Sequence, residues 1–237
     1  MLPSIGSPTA FLGDIYADDY IIPLLDLVLE AWQRVDVGVI AVDERHEPRI
    51  SALLARQMKN ILHERLLQGV DNFPFQIGIE AQQTDPVTGQ QLSRWDIEVL
   101  FRIHRPPDAQ SYFVFEAKKL RVPSGTGLAA QNSEYVDEML TFYHDGKGVA
   151  PAHVGMLGYV MDGNCHAAFA GVSTAIGNKT TLSTVSSPVV RRFHHLPHPP
   201  HGESEHRTPT NRSKNLIMHH LLLPANTSTT SFSTSSI

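Results

Sequence analysis

Three residues of this chain have the types and spacing that chemistry needs: Asp96, Glu116 and Lys118. Glu116 and Lys118 stand one residue apart at the end of an apolar run, YFVFEAKKL, over residues 112–120. A strand alternates its side chains between two faces. Glu116 and Lys118 therefore share a face with Val114, while Phe113, Phe115 and Ala117 take the other. Upstream, RWDIEVLFRIH over residues 94–104 alternates in the same way. Trp95, Ile97, Val99 and Phe101 point one way, and Asp96 and Glu98 the other. If the apolar faces of both strands look into one core, Asp96, Glu116 and Lys118 converge on the opposite face.

Two close carboxylates repel, and each raises the pKa of the other unless a cation joins them. A divalent metal is the common solution, and hard oxygen ligands with open water positions suit Mg2+ or Mn2+. The backbone carbonyl of Ala117, between Glu116 and Lys118, can complete the shell. Such a centre binds a phosphate oxygen and makes a nucleophile of a bound water. The Lys118 ammonium would then steady that water or offset charge developing on the phosphorane. The competing reading is a solvated strand face with an ion pair worth about 0–1 kcal/mol. It fits poorly beside residues 112–115, which read as buried on both faces. Glu98 reads as solvent-facing or paired with Arg94 or Arg102.

The elements that must position these residues follow from apolar periodicity. Residues 17–34 read as an amphipathic helix, with Asp18 or Asp19 capping it and Pro23 near its first turn. Residues 50–68 repeat Ile50, Leu53, Leu54, Ile61, Leu62 and Leu66 at helical spacing, and Gly69 can end the helix. Strands are expected over 73–82, 94–104 and 112–120, the last two as an antiparallel hairpin across a short break. VPSGTGLAAQ reads as a flexible loop and NSEYVDEMLTFYHD as a helix. Residues 152–162 read as a strand whose glycines admit a close-packed helix, and GNCHAAFAGVSTAIGNK as a further helix. The order implies a mixed α/β fold with helices on both faces of a sheet.

This order, together with the pattern D-x19-E-x-K, resembles the PD-(D/E)xK nuclease superfamily, the restriction-endonuclease-like fold. RWDI supplies Asp96, and FEAKKL supplies Glu116 and Lys118; Trp95 stands where the family often has proline. The segments EAKKL, YVDEML and GMLGYV are similar to those of a bacterial branch of that superfamily. The resemblance spans roughly residues 45–162. It implies a core of helix, three-strand meander, helix and strand within residues 45–180. A helical extension over residues 1–44 precedes it, and a flexible tail over 181–237 follows. It also implies a Mg2+- or Mn2+-dependent endonuclease acting on DNA, with RNA as the alternative polymer. Asp96, Glu116 and Lys118 would be catalytic; Asp96, Glu116 and the Ala117 carbonyl would hold the metal. The first helix of the family often adds an acidic ligand, for which Glu47 ranks first, Glu64 second and Glu80 third. A homodimer or a larger complex in defence against phage or mobile elements is the implied setting. A non-catalytic nucleic-acid-binding or assembly protein on the same fold is the alternative.

Composition sets bounds on these expectations. The 237 residues are 41% apolar, enough for a core, and the net charge of −5 weighs against a generally basic nucleic-acid binder. The local field over a groove decides that question, not the sum. The single cysteine, Cys165, permits no disulfide within the chain and no thiolate zinc cluster, which suits a cytoplasmic protein. MLPSIGSPTAF lacks the basic region of a secretory signal, and YIIPLLDLVLEAW is too short, with Asp26 and Glu30 inside it, to be a membrane span.

From about residue 180 the chain turns rich in Ser, Thr, Pro and His. It reads as a flexible segment with one returning edge strand over 215–223. Seven of the 13 histidines fall there, and the tract HHLPHPPH reads as polar linker more readily than as a transition-metal site. Arg191, Arg192, Arg207, Arg212 and Lys214 make this segment a candidate basic arm for phosphate contacts. Lys119 and Arg121 are lesser candidates for the same task. Tyr135, Glu138 and Phe142 share one helical face and read as packing, with Tyr135 and Glu138 also placed to line the site.

Overall fold

The structure, a computed structural model, describes residues 9–36, 46–69, 75–84, 91–101, 112–124, 126–144, 153–182, 184–191, 201–207 and 215–225. Among them the chain forms α1 (Thr9–Gln33), α2 (Glu47–Leu67), β1 (Phe75–Thr84), β2 (Gln91–Phe101), β3 (Tyr112–Leu120), β4 (Val122–Ser124) and β5 (Gly127–Ala129). Then come α3 (Asn132–His144), β6 (His153–Val160), α4 (Cys165–Asn178), β7 (Thr184–Arg191), β8 (His201–Arg207) and β9 (Asn215–Pro224). Seven strands make one mixed sheet in the order β1-β2-β3-β6-β9-β8-β7. β3, β6 and β9 run parallel to their neighbours in that group, and the flanking pairs are antiparallel.

α2 forms where the periodicity places it. Ile50, Leu54, Met58 and Ile61 fall on one buried stripe, and Pro48 sits in the first turn, where its missing N–H costs nothing. Gly69 follows at φ 68°, a left-handed conformation that glycine takes without strain, and its N–H bonds the Leu66 carbonyl. α1 begins eight residues before the expected 17, so Pro23 lies in the helix interior rather than its first turn. A proline there costs about 3 kcal/mol. The buried stripe of Ile21, Leu24, Leu25, Leu27 and Val28 runs straight through it, and that burial outweighs the break.

α1 is also no appended extension. It packs with α2 on one face of the sheet, against Val99, Phe115, Leu157, Tyr159 and Leu221. Trp32 stacks on Tyr159 at 5.5 Å and donates its indole N–H to the Pro224 carbonyl at 3.1 Å. The Tyr159 hydroxyl meets Ser51 Oγ at 2.8 Å, so both buried hydroxyls are satisfied. The other face carries α3 and α4, whose Tyr135, Met139, Val172 and Ile176 pack on Val114, Leu120, Met156, Val160 and Leu222. Asn164 caps α4 by accepting from the Ala167 N–H at 3.0 Å.

Three further expectations need correction. The segment read as a flexible loop forms a small antiparallel ribbon, β4 with β5. The segment read as a flexible tail contributes β7, β8 and β9 to the main sheet, and β9 is an interior strand between β6 and β8, not an edge. Residues 226–237, and His194, His195 and His198 of the histidine tract, lie outside the described residues. A Cβ on Gly158 would meet Tyr135 of α3 as well as Leu120 and Leu222, but Gly155 serves a different neighbour. A Cβ on Gly155 would strike the rings of Phe113 and Phe115, so the space belongs to the adjacent strand, not to a helix. Among the described residues no helix is long and apolar enough to cross a membrane.

Candidate active site

The site lies where β2 and β3 part. Their antiparallel register runs from Leu100 opposite Tyr112 to Ile97 opposite Phe115. Beyond it β2 continues against β1, with Trp95 opposite Ala81. Alternate residues of a strand turn both their N–H and C=O toward the same neighbour. The backbone of Ala117 and Lys119 therefore faces the gap that β2 leaves. Side chains take over the missing ladder. Ala117 N–H donates to Asp96 Oδ2 at 2.8 Å, and Lys119 N–H donates to Glu47 Oε1 at 2.9 Å. The carbonyl of Ala117 is turned toward the same gap.

Lys118 completes the cluster. Its Nζ is 3.1 Å from Glu138 Oε1 and 3.7 Å from Glu47 Oε2. Glu47 comes from the first turn of α2, on one face of the sheet, and Glu138 from α3, on the other. The gap between the strands is what lets them meet at one ammonium. Asp96 and Glu116 feel the same charges: Lys118, Glu47 and Glu138 act on both, and Asp96 acts on Glu116.

Lys118, half-buried, faces four carboxylates, and the electrostatics of the site follow. Burial, then the Asp96 carboxylate, pushes the Glu116 carboxyl up to about 8. Burial also raises Asp96, against the pull of the Ala117 N–H and of Lys118. Burial works against the charge on Lys118, but the Glu138 hydrogen bond and the surrounding carboxylates hold its pKa above the ordinary lysine value. Beside these groups opens a cleft of about 390 Å³ lined by Glu47, Lys118, Lys119, Glu134, Asp137 and Glu138.

The sequence-derived set sorts cleanly. Asp96, Glu116, Lys118 and Glu47 come together. Glu64 does not: it lies on the outer side of α2 and pairs with Arg34 at 2.7 Å. The Glu80 side chain lies outside the described residues. Glu98 is half-buried, and burial raises its carboxyl; its expected partners Arg94 and Arg102 lie outside the described side chains. Arg121 is engaged by Asp162, with Nε 2.9 Å from Oδ2, instead of facing a ligand. Glu138 belongs to the site, whereas Tyr135 is buried beneath it and bonds His220 Nδ1 at 3.0 Å.

The donor set fits a hard divalent cation. It offers carboxylate and carbonyl oxygens with an excess of negative charge, and a Glu116 carboxyl that burial and the Asp96 charge push up to about 8. Among the described residues, though, no three of these acids bring donor atoms within 4.8 Å of one another; the group that does is His201, Glu203 and His219. Lys118 stands between Glu47 and Glu138 and bridges them. Compared with family models, with curated proteins and with solved structures, the chain matches none.

Proposed function

We propose that this protein is a metal-dependent nuclease of the PD-(D/E)xK type that hydrolyses phosphodiester bonds, of DNA first and RNA as the alternative. One observation carries the reading: the acid of β2 and the acid and lysine of β3 meet at the point where the two strands separate. In this reading the cleft beside that cluster, lined by Glu47, Lys118 and Glu138, admits the phosphodiester.

In this reading Asp96, Glu116 and the Ala117 carbonyl hold Mg2+ or Mn2+, with Glu47 as the further acidic ligand. A bound ion would supply Lewis acidity toward a phosphoryl oxygen and lower the pKa of a bound water. Asp96 is held in place by the Ala117 N–H, and Glu47 by the Lys119 N–H. Lys118 is an ammonium at neutral pH, so it cannot accept a proton from water. Its task is to orient the attacking water and to offset charge building on the phosphoryl oxygens. Glu138 fixes where that ammonium sits.

The test is cleavage of single- and double-stranded DNA and RNA by the purified protein with Mg2+ or Mn2+. Divalent-dependent cleavage that disappears in Lys118→Ala and Asp96→Ala, with folding retained, supports the reading. No cleavage of any polymer with either ion removes it.

A second reading, a non-catalytic binding or assembly protein on the same fold, draws on the charge of the cleft. Four acidic side chains line it against two lysines, which repels a polyanion. Its signature would be binding unchanged by Asp96→Ala.

A further inference from the structure

We propose a second metal site, on the opposite face of the sheet, formed by His201, Glu203 and His219 and suited to a borderline divalent cation such as Zn2+. It is independent of the nuclease reading. The register of β8 and β9 sets Glu203 directly opposite His219, and His201 two residues along the same strand face. On the other side of β9, the parallel register places His153 of β6 on that face as well.

The distances suit a tetrahedral ion better than hydrogen bonds. His219 Nδ1 lies 3.3 Å from His201 Nε2 and 3.4 Å from Glu203 Oε1. Hydrogen bonds of this kind centre near about 2.9–3.0 Å. Ligand atoms on a tetrahedral ion with bonds of about 2.0–2.1 Å stand about 3.3–3.4 Å apart. The donors of all three residues lie within 4.8 Å of one another. The second ring nitrogen of His219, Nε2, is 3.0 Å from His153 Nδ1. With its proton on Nε2, His219 donates to His153 and presents the Nδ1 lone pair to the site. A metal-bound histidine is usually oriented by such a partner.

Ligand type separates this site from the acidic one. Two imidazoles and one carboxylate select Zn2+ and its neighbours over Mg2+. His201 and His219 are 1% and 2% exposed, while the Glu203 side chain is 21% exposed and marks the way in. Three protein donors leave a fourth position to water. An ion there would tie β8 to β9, the sixth and fifth strands of the seven-stranded sheet.

The experiment uses the full chain without a purification tag, stripped with EDTA and dialysed. Zn2+ is titrated calorimetrically, and Co2+ by its visible absorption, with Tm followed for each. Expected are one Zn2+ per chain, a tetrahedral Co2+ spectrum and a higher Tm. Affinity should fall about 10-fold or more in Glu203→Gln and His201→Gln. It should persist in Asp96→Asn and in the triple variant His194→Gln, His195→Gln, His198→Gln. Because His219 is buried mid-sheet, its replacement endangers the fold, so the partly exposed Glu203 is the deciding position. Absence of Zn2+ and Co2+ binding overturns the proposal. So does wild-type affinity in Glu203→Gln and His201→Gln, or loss of binding in Asp96→Asn or the triple variant.

Discussion

The backbone N–H of Ala117 donates to the Asp96 carboxylate at 2.8 Å, where a β2 carbonyl would stand in an unbroken ladder. Asp96 therefore finishes the sheet as well as facing the site. Removing it exposes two separable losses. Asp96→Ala leaves a buried N–H unpaired, which costs about 1–3 kcal/mol. Asp96→Asn keeps an acceptor oxygen and should cost less. Both should cut cleavage by about 100-fold or more. Urea denaturation beside a cleavage assay separates the two; equal stability of the variants would remove the structural half of the claim.

Lys118 places a positive charge among Glu47, Glu116 and Glu138. Lys118→Met should lower cleavage by about 100-fold or more, read as a fall in kcat with little change in KM. Lys118→Arg should not restore it, because a planar guanidinium cannot take the place of a compact ammonium between two carboxylates. A Lys118→Arg enzyme with wild-type kcat would refute the positional role.

Glu116 sets a pH dependence in the metal-free protein. Its carboxyl is raised from 4.5 to about 8 on folding. Between those values the unfolded chain is ionised while the folded one keeps its proton. Stability is thus lost as pH rises from 4.5 to about 8, by on the order of a few kcal/mol. In EDTA above pH 8, Glu116→Gln should melt higher than wild type, and the gap should close as pH falls toward 4.5. Added Mg2+ should favour wild type instead. A gap that stays constant across this range would contradict the assignment.

An opposite limb comes from the buried chain Thr184–His206–Ser204–His220–Tyr135. Ser204 Oγ bridges His206 Nε2 and His220 Nε2 at 2.7 Å each. Burial pulls His206 from 6.5 down to about 4, and His220 to about 3. Above pH 6.5 both states are neutral. Below it the unfolded chain takes a proton that the folded His206 refuses, so stability falls as pH drops from 6.5 to about 4. His206→Gln should make that limb shallower in a series of Tm measurements against pH, leaving the part that His220 contributes, and an unchanged limb would place the acid sensitivity elsewhere.

The convergence of Asp96, Glu116 and Lys118 was legible because its signal is local. Asp96, Glu116 and Lys118 sit on strands whose two-residue alternation fixes the face each takes. Glu47 was placed first for its position at the start of a strongly periodic helix, and the structure brings its carboxylate to the Lys119 N–H. The role of Glu138 was only half visible: its helical face also carries buried Tyr135 and Met139, and only the closeness of α3 to β3 brings it to Lys118.

The final quarter was misread for a physical reason. β8 buries His201, Ser204 and His206, and Ser204 bonds both His206 and His220 of β9. An apolar period cannot register a strand whose buried face is polar. The alternation was nonetheless there: His201 and Glu203 stand two apart, facing His219 of a strand ten or more residues on. Pro23 misled in the opposite direction, since a local helix-breaking rule lost to a long apolar stripe.

The central place of β9 has a consequence for synthesis. A ribosome delivers the chain from its N-terminal end, so β1, β2, β3 and β6 emerge while the strand that pairs with β6 is still untranslated. The Trp32 indole must wait for a carbonyl 192 residues downstream. Until then the nascent chain presents an open parallel edge rich in apolar side chains, a template for wrong partners. A translation-arrested chain ending before residue 215 should be cut by protease well inside β3 and β6, and one extended past residue 225, clear of the exit tunnel, should resist. The order of birth and the order in space disagree here, so the sheet closes only after its last strand in sequence has been made.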